Sequence, residues 1–162
     1  MADFLRNLFR VLNRDLTGET WEREMRHPYF GPMVYFGHRE PEKSYWEAEL
    51  SVHGHPKTFS VTMRGTPDGP EPSEESFCQA TVGDLEALFS KCRDAFLGEY
   101  PHWTREPFPS DWKQAFVLDG FSVPTNGDST ASWDVCYLAV PTGHYFIAEF
   151  EAGRVVRVRV DG

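Results

Sequence analysis

The sequence predicts an α+β fold, a single domain with a mostly antiparallel sheet of about six to seven strands. Residues 144–161 alternate apolar and polar side chains at the two-residue spacing of half-buried strands. Residues 81–98 instead repeat Leu, Phe and Cys at helical spacing. Because strands precede and follow this one main helix, α+β is favoured over alternating α/β.

The last two strands predict their own register, because a slip of one residue turns a whole strand over. A three-residue loop at 152–154 sets apolar residues opposite one another: Phe150 and Val156, Ala148 and Val158, Phe146 and Val160. The same register sets Glu149 opposite Arg157. A two-residue loop sets Glu149 against Val156 and loses the apolar face. We therefore expect the three-residue loop, with Val158 buried and Arg157 exposed.

Four segments define the expected organisation of residues 1–162. Residues 1–18 read as an amphipathic N-terminal helix, which we expect to lie on the sheet or on a second subunit in a homodimer. The alternative is a helix at a membrane surface, which Asp3 and Asp15 disfavour. Residues 31–63 predict a three-stranded β-meander, 81–98 the main helix and 116–161 a second β-meander. The connections at 64–76 and 100–112 are rich in proline and predict a linker and an ordered loop.

The net charge of −9 bears on the choice of partner. Residues 1–30 hold five bases and five acids, so the rest of the chain carries the whole excess. Such a body repels phosphate backbones and disfavours nucleic acid, whereas a basic protein is attracted. From Thr66 to Glu86 there are six acids and no base. We expect three of them to steer a basic partner: Glu71, Glu74 and Glu75.

Aromatic residues supply a second set of candidate binding residues. The chain has 13 Phe, 6 Tyr and 5 Trp, and tryptophan and tyrosine are favoured anchors at binding surfaces. Residues 100–112 hold two tryptophans among three prolines. They either line a groove or cap the core. The candidate pocket or groove residues are Trp103, Trp112, Trp133 and His144.

Sequence motifs for catalysis are missing, and we predict no catalytic residue, no metal site and no cofactor. His53-x-His55 is the nearest approach to a metal pair, but it reads as a turn because Gly54 and Pro56 flank the second histidine. Cys78 precedes the predicted helix, where a thiol can become nucleophilic, although a packed core thiol is the simpler interpretation. No stretch is long and apolar enough for a membrane span or a signal peptide, so we expect a cytoplasmic protein.

Two short segments carry a family resemblance. His27-Pro28-x-Phe30-Gly31 opens the first meander, and Trp46-Glu47-x-Glu49-Leu50 follows as a strand. This order resembles a group of bacterial domains of unknown function, some of which are similar to immunity proteins of polymorphic toxin systems. The resemblance implies no catalytic residues. We therefore predict a non-catalytic protein-binding module, either an immunity-type or an adaptor protein, that sequesters a basic partner. The alternatives are a small-molecule binder or enzyme with an aromatic-lined pocket, and a structural module that dimerises through its N-terminal helix.

Overall fold

The computed structural model describes residues 21–162, so the predicted N-terminal helix over 1–18 lies outside the described residues. It begins with a hairpin of β1 (Trp21–His27) and β2 (Gly31–Gly37), whose first strand the sequence analysis missed. The turn of this hairpin contains the His-Pro-x-Phe-Gly segment and gives His27, Phe30 and Gly31 each a structural role. The His27 ring accepts the backbone N–H groups of Tyr29 and Phe30 at 3.2 and 3.3 Å. Phe30 is buried, and Gly31 takes a left-handed φ of 73°.

Residues 31–63 form three antiparallel strands in chain order. These are β2, β3 (Tyr45–Leu50) and β4 (Phe59–Met63), with a single 3₁₀ turn at Pro41–Lys43 before β3. Ala48 pairs with Met33 on one side and with Val61 on the other. The apolar side chains of β3 therefore share one face with those of its neighbours, as the alternation predicts.

The stretch at 64–76 is not a linker. It forms a small hairpin of β5 (Gly65–Thr66) and β6 (Gly69–Pro70), and helix α1 (Pro72–Gly83) follows directly. The indole N–H of Trp46 donates to the Thr66 carbonyl at 2.9 Å and fastens the hairpin to the main sheet. Proline suits the first helical position because it needs no backbone N–H there. The prolines and glycines here mark turns and a helix start.

The main helix is longer than predicted and is preceded by another. Helix α2 runs over Leu85–Thr104, and Asp84 separates it from α1. The Asp84 side chain accepts the Ala87 N–H at 2.9 Å, so Asp84 is the N-cap of α2. At the other end, Pro101 lies within the final turn and Arg105, with φ 65°, terminates the helix. The segment predicted as loop thus begins as helix.

Residues 116–161 form four antiparallel strands in chain order. After a 3₁₀ turn at Trp112–Gln114 come β7 (Phe116–Ser122), β8 (Trp133–Ala139), β9 (His144–Glu151) and β10 (Arg154–Asp161). A 3₁₀ turn at Thr125–Gly127 connects β7 to β8. The main sheet has the order β1-β2-β3-β4-β7-β8-β9-β10. Within the described residues, eight strands replace the expected six to seven, and β4 and β7 are the one parallel pair.

The C-terminal hairpin keeps most of its predicted register but not its loop. Ala148 pairs with Val158 and Glu149 with Arg157, as predicted. Ala152 and Gly153, with φ of 51° and 75°, form a two-residue turn instead of a three-residue loop. A bulge between Val155 and Arg157 restores the register and leaves Val156 exposed. Val155, not Val156, therefore faces Phe150. A bulge adds one residue to one strand, and loop length alone does not reveal it.

The core lies between the helices and one face of the sheet. Five aromatic rings meet there, with Phe96 and Phe116 stacked and the other cited pairs edge-to-face or tilted: Phe89, Phe96, Phe116, Tyr137 and Phe146. The other face carries polar side chains such as Thr62 and Asp134, together with a small apolar cluster at Cys136 and Ile147. Concave surfaces occur on this second face and beside the junction between α1 and α2.

Candidate functional site

A cleft of about 360 Å³ opens where the β3–β4 turn meets the junction of the two helices. Residues 52–56 of the turn, residues 82–86 of the helix junction, and Trp112, Lys113 and Phe116 line it. We call it the junction cleft. Its volume falls within the range of roughly 300–1,000 Å³ that is usual for ligand sites. Three regions far apart in sequence build it: the β3–β4 turn, the helix junction and residues 112–116.

Trp112 provides an aromatic wall of fixed orientation. Its ring stacks on the buried Phe89, with centroids 4.0 Å apart and planes inclined by 8°. Its indole N–H donates to a Glu86 carboxylate oxygen at 2.9 Å. The Asp111 side chain accepts the Lys113 N–H at 3.1 Å and holds the short turn that presents the tryptophan. Packing on one face and a hydrogen bond at one edge leave the indole little freedom to move.

A cation from the protein itself already lies at this wall. The Lys113 ammonium group pairs with Glu86 and lies 5.8 Å from the centroid of the Trp112 ring. The pKa of Glu86 is lowered, first by the hydrogen bond from Lys113 and then by that from the indole. The pKa of Lys113 is raised by the same carboxylate. Both side chains are more than half exposed, so solvent screens the pair.

The two histidines considered as a metal pair also line the cleft. His53 is exposed, whereas His55 is half-buried, with Nδ1 2.6 Å from the Lys57 carbonyl oxygen and its ring edge-on to Phe59. A carbonyl only accepts, so Nδ1 of His55 carries the proton. No group of three metal-ligating side chains occurs between residues 21 and 162. The pair serves as part of the cleft wall.

The other aromatic candidates lie in separate ring clusters. Trp103, at the end of α2, is 40% exposed, and its ring lies 5.5 Å from that of His144, so the structure brings these two candidates together. Trp133 is buried, stacks on Phe150 at 4.2 Å and meets Phe77 edge-on. Trp112 alone of the three tryptophans lines the junction cleft. A pocket formed by all three is not present in the described structure.

The acidic candidates on α1 differ in exposure. Glu71 is exposed just before the helix, and Glu75 is half-buried, 3.5 Å from Nε2 of His27. Glu74 is buried and accepts the backbone N–H groups of Arg64 and Asn126 at 2.5 and 3.0 Å. Burial raises the pKa of Glu74 more than these two donors lower it. Glu74 is therefore inaccessible to a partner, and its hydrogen bonds hold three segments together.

A second concave region follows the polar face of the sheet. Two adjoining hollows of about 270 and 350 Å³ share Ser122 and Ser132. Here Asp134 accepts the Ser122 hydroxyl at 2.8 Å, and burial raises the pKa of Asp134. Glu149 pairs with Arg159 at 2.6 Å. Neighbouring groups engage these carboxylates, as they do in the junction cleft. No residue of the acidic stretch from Thr66 to Glu86 lines the two hollows, whereas Asp84 and Glu86 line the junction cleft, which makes the groove the weaker candidate.

The cysteines do not offer a nucleophile. Cys78 lies inside α1 rather than before a helix, and it is fully buried. Burial raises the pKa of both Cys78 and Cys92 to about 12, and it raises the pKa of Cys136 as well. All three thiols are protonated at neutral pH, so the interpretation of Cys78 as a core thiol fits the structure.

Comparison with known proteins adds no family. The chain matches no protein-family model, no curated protein and no solved structure. The resemblance of the His27–Gly31 and Trp46–Leu50 segments to bacterial domains of unknown function stays a prediction. Neither helix between residues 21 and 162 has the length and apolar character to cross a bilayer. The geometry and charge of the junction cleft are therefore the features that bear on function.

Proposed function

We propose that this protein is a non-catalytic binding module that sequesters a basic protein, and that the partner docks over α1 and the junction cleft. The observation that carries the proposal is the combination of the Trp112 ring with the carboxylates of Asp84 and Glu86 in one cleft. Aromatic anchors and a complementary charge are the features that concentrate binding energy at protein interfaces.

The charge around the cleft supports a basic partner. No lysine or arginine occurs between Arg64 and Lys91, a stretch that contains the whole of α1. Two of its acids have basic partners from elsewhere: Asp68 pairs with Arg23 and Glu86 with Lys113. The surface nevertheless keeps an excess of negative charge, and the chain as a whole carries −9. Such a field raises the association rate of a basic protein.

The bonding of the polar groups in the cleft favours binding over catalysis. Asp84 caps α2, and Glu86 accepts hydrogen bonds from both Trp112 and Lys113. The His55 ring donates to a backbone carbonyl. Each group thus has a structural partner, and none forms the directly bonded nucleophile and base that covalent catalysis requires. The resemblance to immunity-type domains also supports a module that acts by occupying its partner.

A small-molecule binder is the second candidate, because a cleft of about 360 Å³ also suits a compact ligand. Native mass spectrometry of the protein from its own host distinguishes the two functions. A bound metabolite and no protein partner supports the small-molecule function. A retained basic protein supports the module that we propose.

The test is a pull-down at about 50 mM salt, followed by kinetics on the retained protein up to about 500 mM. We expect association to slow markedly as salt rises, with a smaller change in dissociation. Glu71→Lys should slow association further. The matched control is Glu106→Lys, an equal charge change just past the far end of the 20-residue α2, roughly 30 Å along the helix. An acidic partner, or association insensitive to salt, would contradict the proposal.

A further inference from the structure

The junction cleft of the free protein already shows which chemical group it accepts. Lys113 contributes a cation that contacts both the Trp112 ring and the Glu86 carboxylate. The cation belongs to the protein itself, because Lys113 directly follows Trp112 in the chain. An aromatic face and a carboxylate together form a favourable site for an organic cation, because the ring quadrupole and the negative charge act in the same direction.

We infer that the junction cleft is a seat for an arginine side chain of the partner, which displaces Lys113 from Trp112 and Glu86 on binding. The inference rests on the proposed function, since it names the group by which a basic partner is held. Arginine is the chemical class of ligand, and the site comprises Trp112, Glu86 and Asp84.

The seat is rigid, whereas its present occupant is held weakly. Phe89 and the hydrogen bond to Glu86 fix the position of Trp112. The Lys113 side chain is 62% exposed and its partner Glu86 57%, so water screens their attraction. Releasing a long exposed side chain also returns rotamer freedom to it. A ligand therefore meets a preformed site and displaces a group that leaves easily.

The shape and chemistry of the cleft favour arginine over lysine. A planar guanidinium stacks on an indole and donates two parallel N–H bonds to a carboxylate, whereas an ammonium group is a compact point charge. Glu86 lies at the edge of the indole, so a stacked guanidinium reaches it without leaving the ring. Apolar side chains of the cleft, Val52 and Leu85 among them, suit the methylene stem of the arginine.

The test uses N-acetyl-arginine amide on the full chain, with its neutral isostere N-acetyl-citrulline amide and the lysine analogue as controls. The readout is the NMR resonance of the Trp112 indole N–H, which Trp112→Phe assigns by its loss. We expect a saturable shift with the arginine probe, a smaller one with lysine and none with citrulline. Lys113→Met keeps the stem, removes the competing charge and should tighten arginine binding several-fold. Lys91→Met, which removes an exposed charge from α2 outside the cleft, should leave binding unchanged.

Equal shifts with arginine and citrulline would overturn the inference, as would unchanged or weaker arginine binding in Lys113→Met. Different outcomes test the arginine seat and the proposed function. A basic partner that binds with wild-type affinity to both Trp112→Phe and Glu86→Gln would overturn the arginine seat and leave the binding module intact. Specific arginine binding without any basic partner would support the seat and contradict the proposed function. Dispersed amide spectra establish that each variant is folded.

Discussion

Glu74 lies in the seam between α1 and the Thr125–Gly127 turn, whereas Glu86 lies at the rim of the junction cleft. Both belong to the same acidic stretch of sequence. Glu74 is 1% exposed and bonds to two backbone N–H groups, while Glu86 is exposed and bonds to the side chains of Trp112 and Lys113. The comparison shows that an acidic run has no single role. The buried Glu74 holds separate chain segments together, whereas the exposed Glu71 and Glu86 reach solvent.

The largest effect should come from removing the carboxylate of the seam. Glu74→Ala leaves the N–H groups of Arg64 and Asn126 without their acceptor inside the protein, which we expect to cost about 2–4 kcal/mol of unfolding free energy. Urea unfolding followed by circular dichroism measures it. The matched variant Glu86→Ala should leave the urea midpoint unchanged. A similar midpoint shift in both variants would contradict the claim that Glu74, and not Glu86, holds the fold together.

Glycine substitutions extend the same comparison to the backbone. A Cβ on Gly127 would lie 2.5 Å from the Ser73 carbonyl oxygen, and φ there is 66°. We expect Gly127→Ala to cost about 2–3 kcal/mol through clash and strain. Gly54, in the turn that lines the cleft, also has a positive φ, of 82°, but a Cβ there meets nothing within 4 Å. Gly54→Ala should therefore cost only about 1 kcal/mol, measured by the same urea unfolding.

A smaller effect should appear in how the unfolding free energy depends on pH, through the carboxyl group of Glu74. The pKa of Glu74 is raised on folding, so the folded state holds this proton more tightly than the unfolded state. The contribution of the group is full below the unfolded pKa of about 4.3 and is lost as pH rises through the folded pKa. The stability of wild type relative to Glu74→Gln should therefore decline as the pH is raised from about 4. A difference that grows over this range would contradict the assignment.

The strand pattern predicted most of the sheet, because alternation reports directly which side chains face the core. Trp46, Ala48 and Leu50 face inward as predicted, and so do Phe146, Ala148 and Phe150. The pattern missed β1, since Trp21–His27 is an edge strand with charged residues on both faces. It also missed the bulge at Val156, because a two-residue turn with a bulge and a three-residue loop give nearly the same pairing.

The candidate site was less accessible from the sequence, since tertiary contacts decide it. The sequence does not show whether Trp112 or Trp133 is exposed or buried. Only the fold places Trp112 at the cleft and Trp133 in the core. Likewise, the role of Glu74 depends on Asn126, far along the chain. One signal was present: Lys113 follows Trp112 directly. It suggests a cation beside an aromatic, but the spacing to Glu86 gives no hint of their contact.

The most direct test of partner binding at the junction cleft compares how fast the captured basic partner associates with two variants of the protein at about 50 mM salt. Asp84→Ser with Glu86→Gln removes two charges from the cleft while serine keeps the cap of α2. The control, Glu106→Gln with Asp161→Asn, removes two exposed charges outside the cleft lining. We predict severalfold slower association and faster dissociation for the cleft variant, and near wild-type kinetics for the control. Equal kinetics for the two variants would contradict the claim that the junction cleft binds the partner.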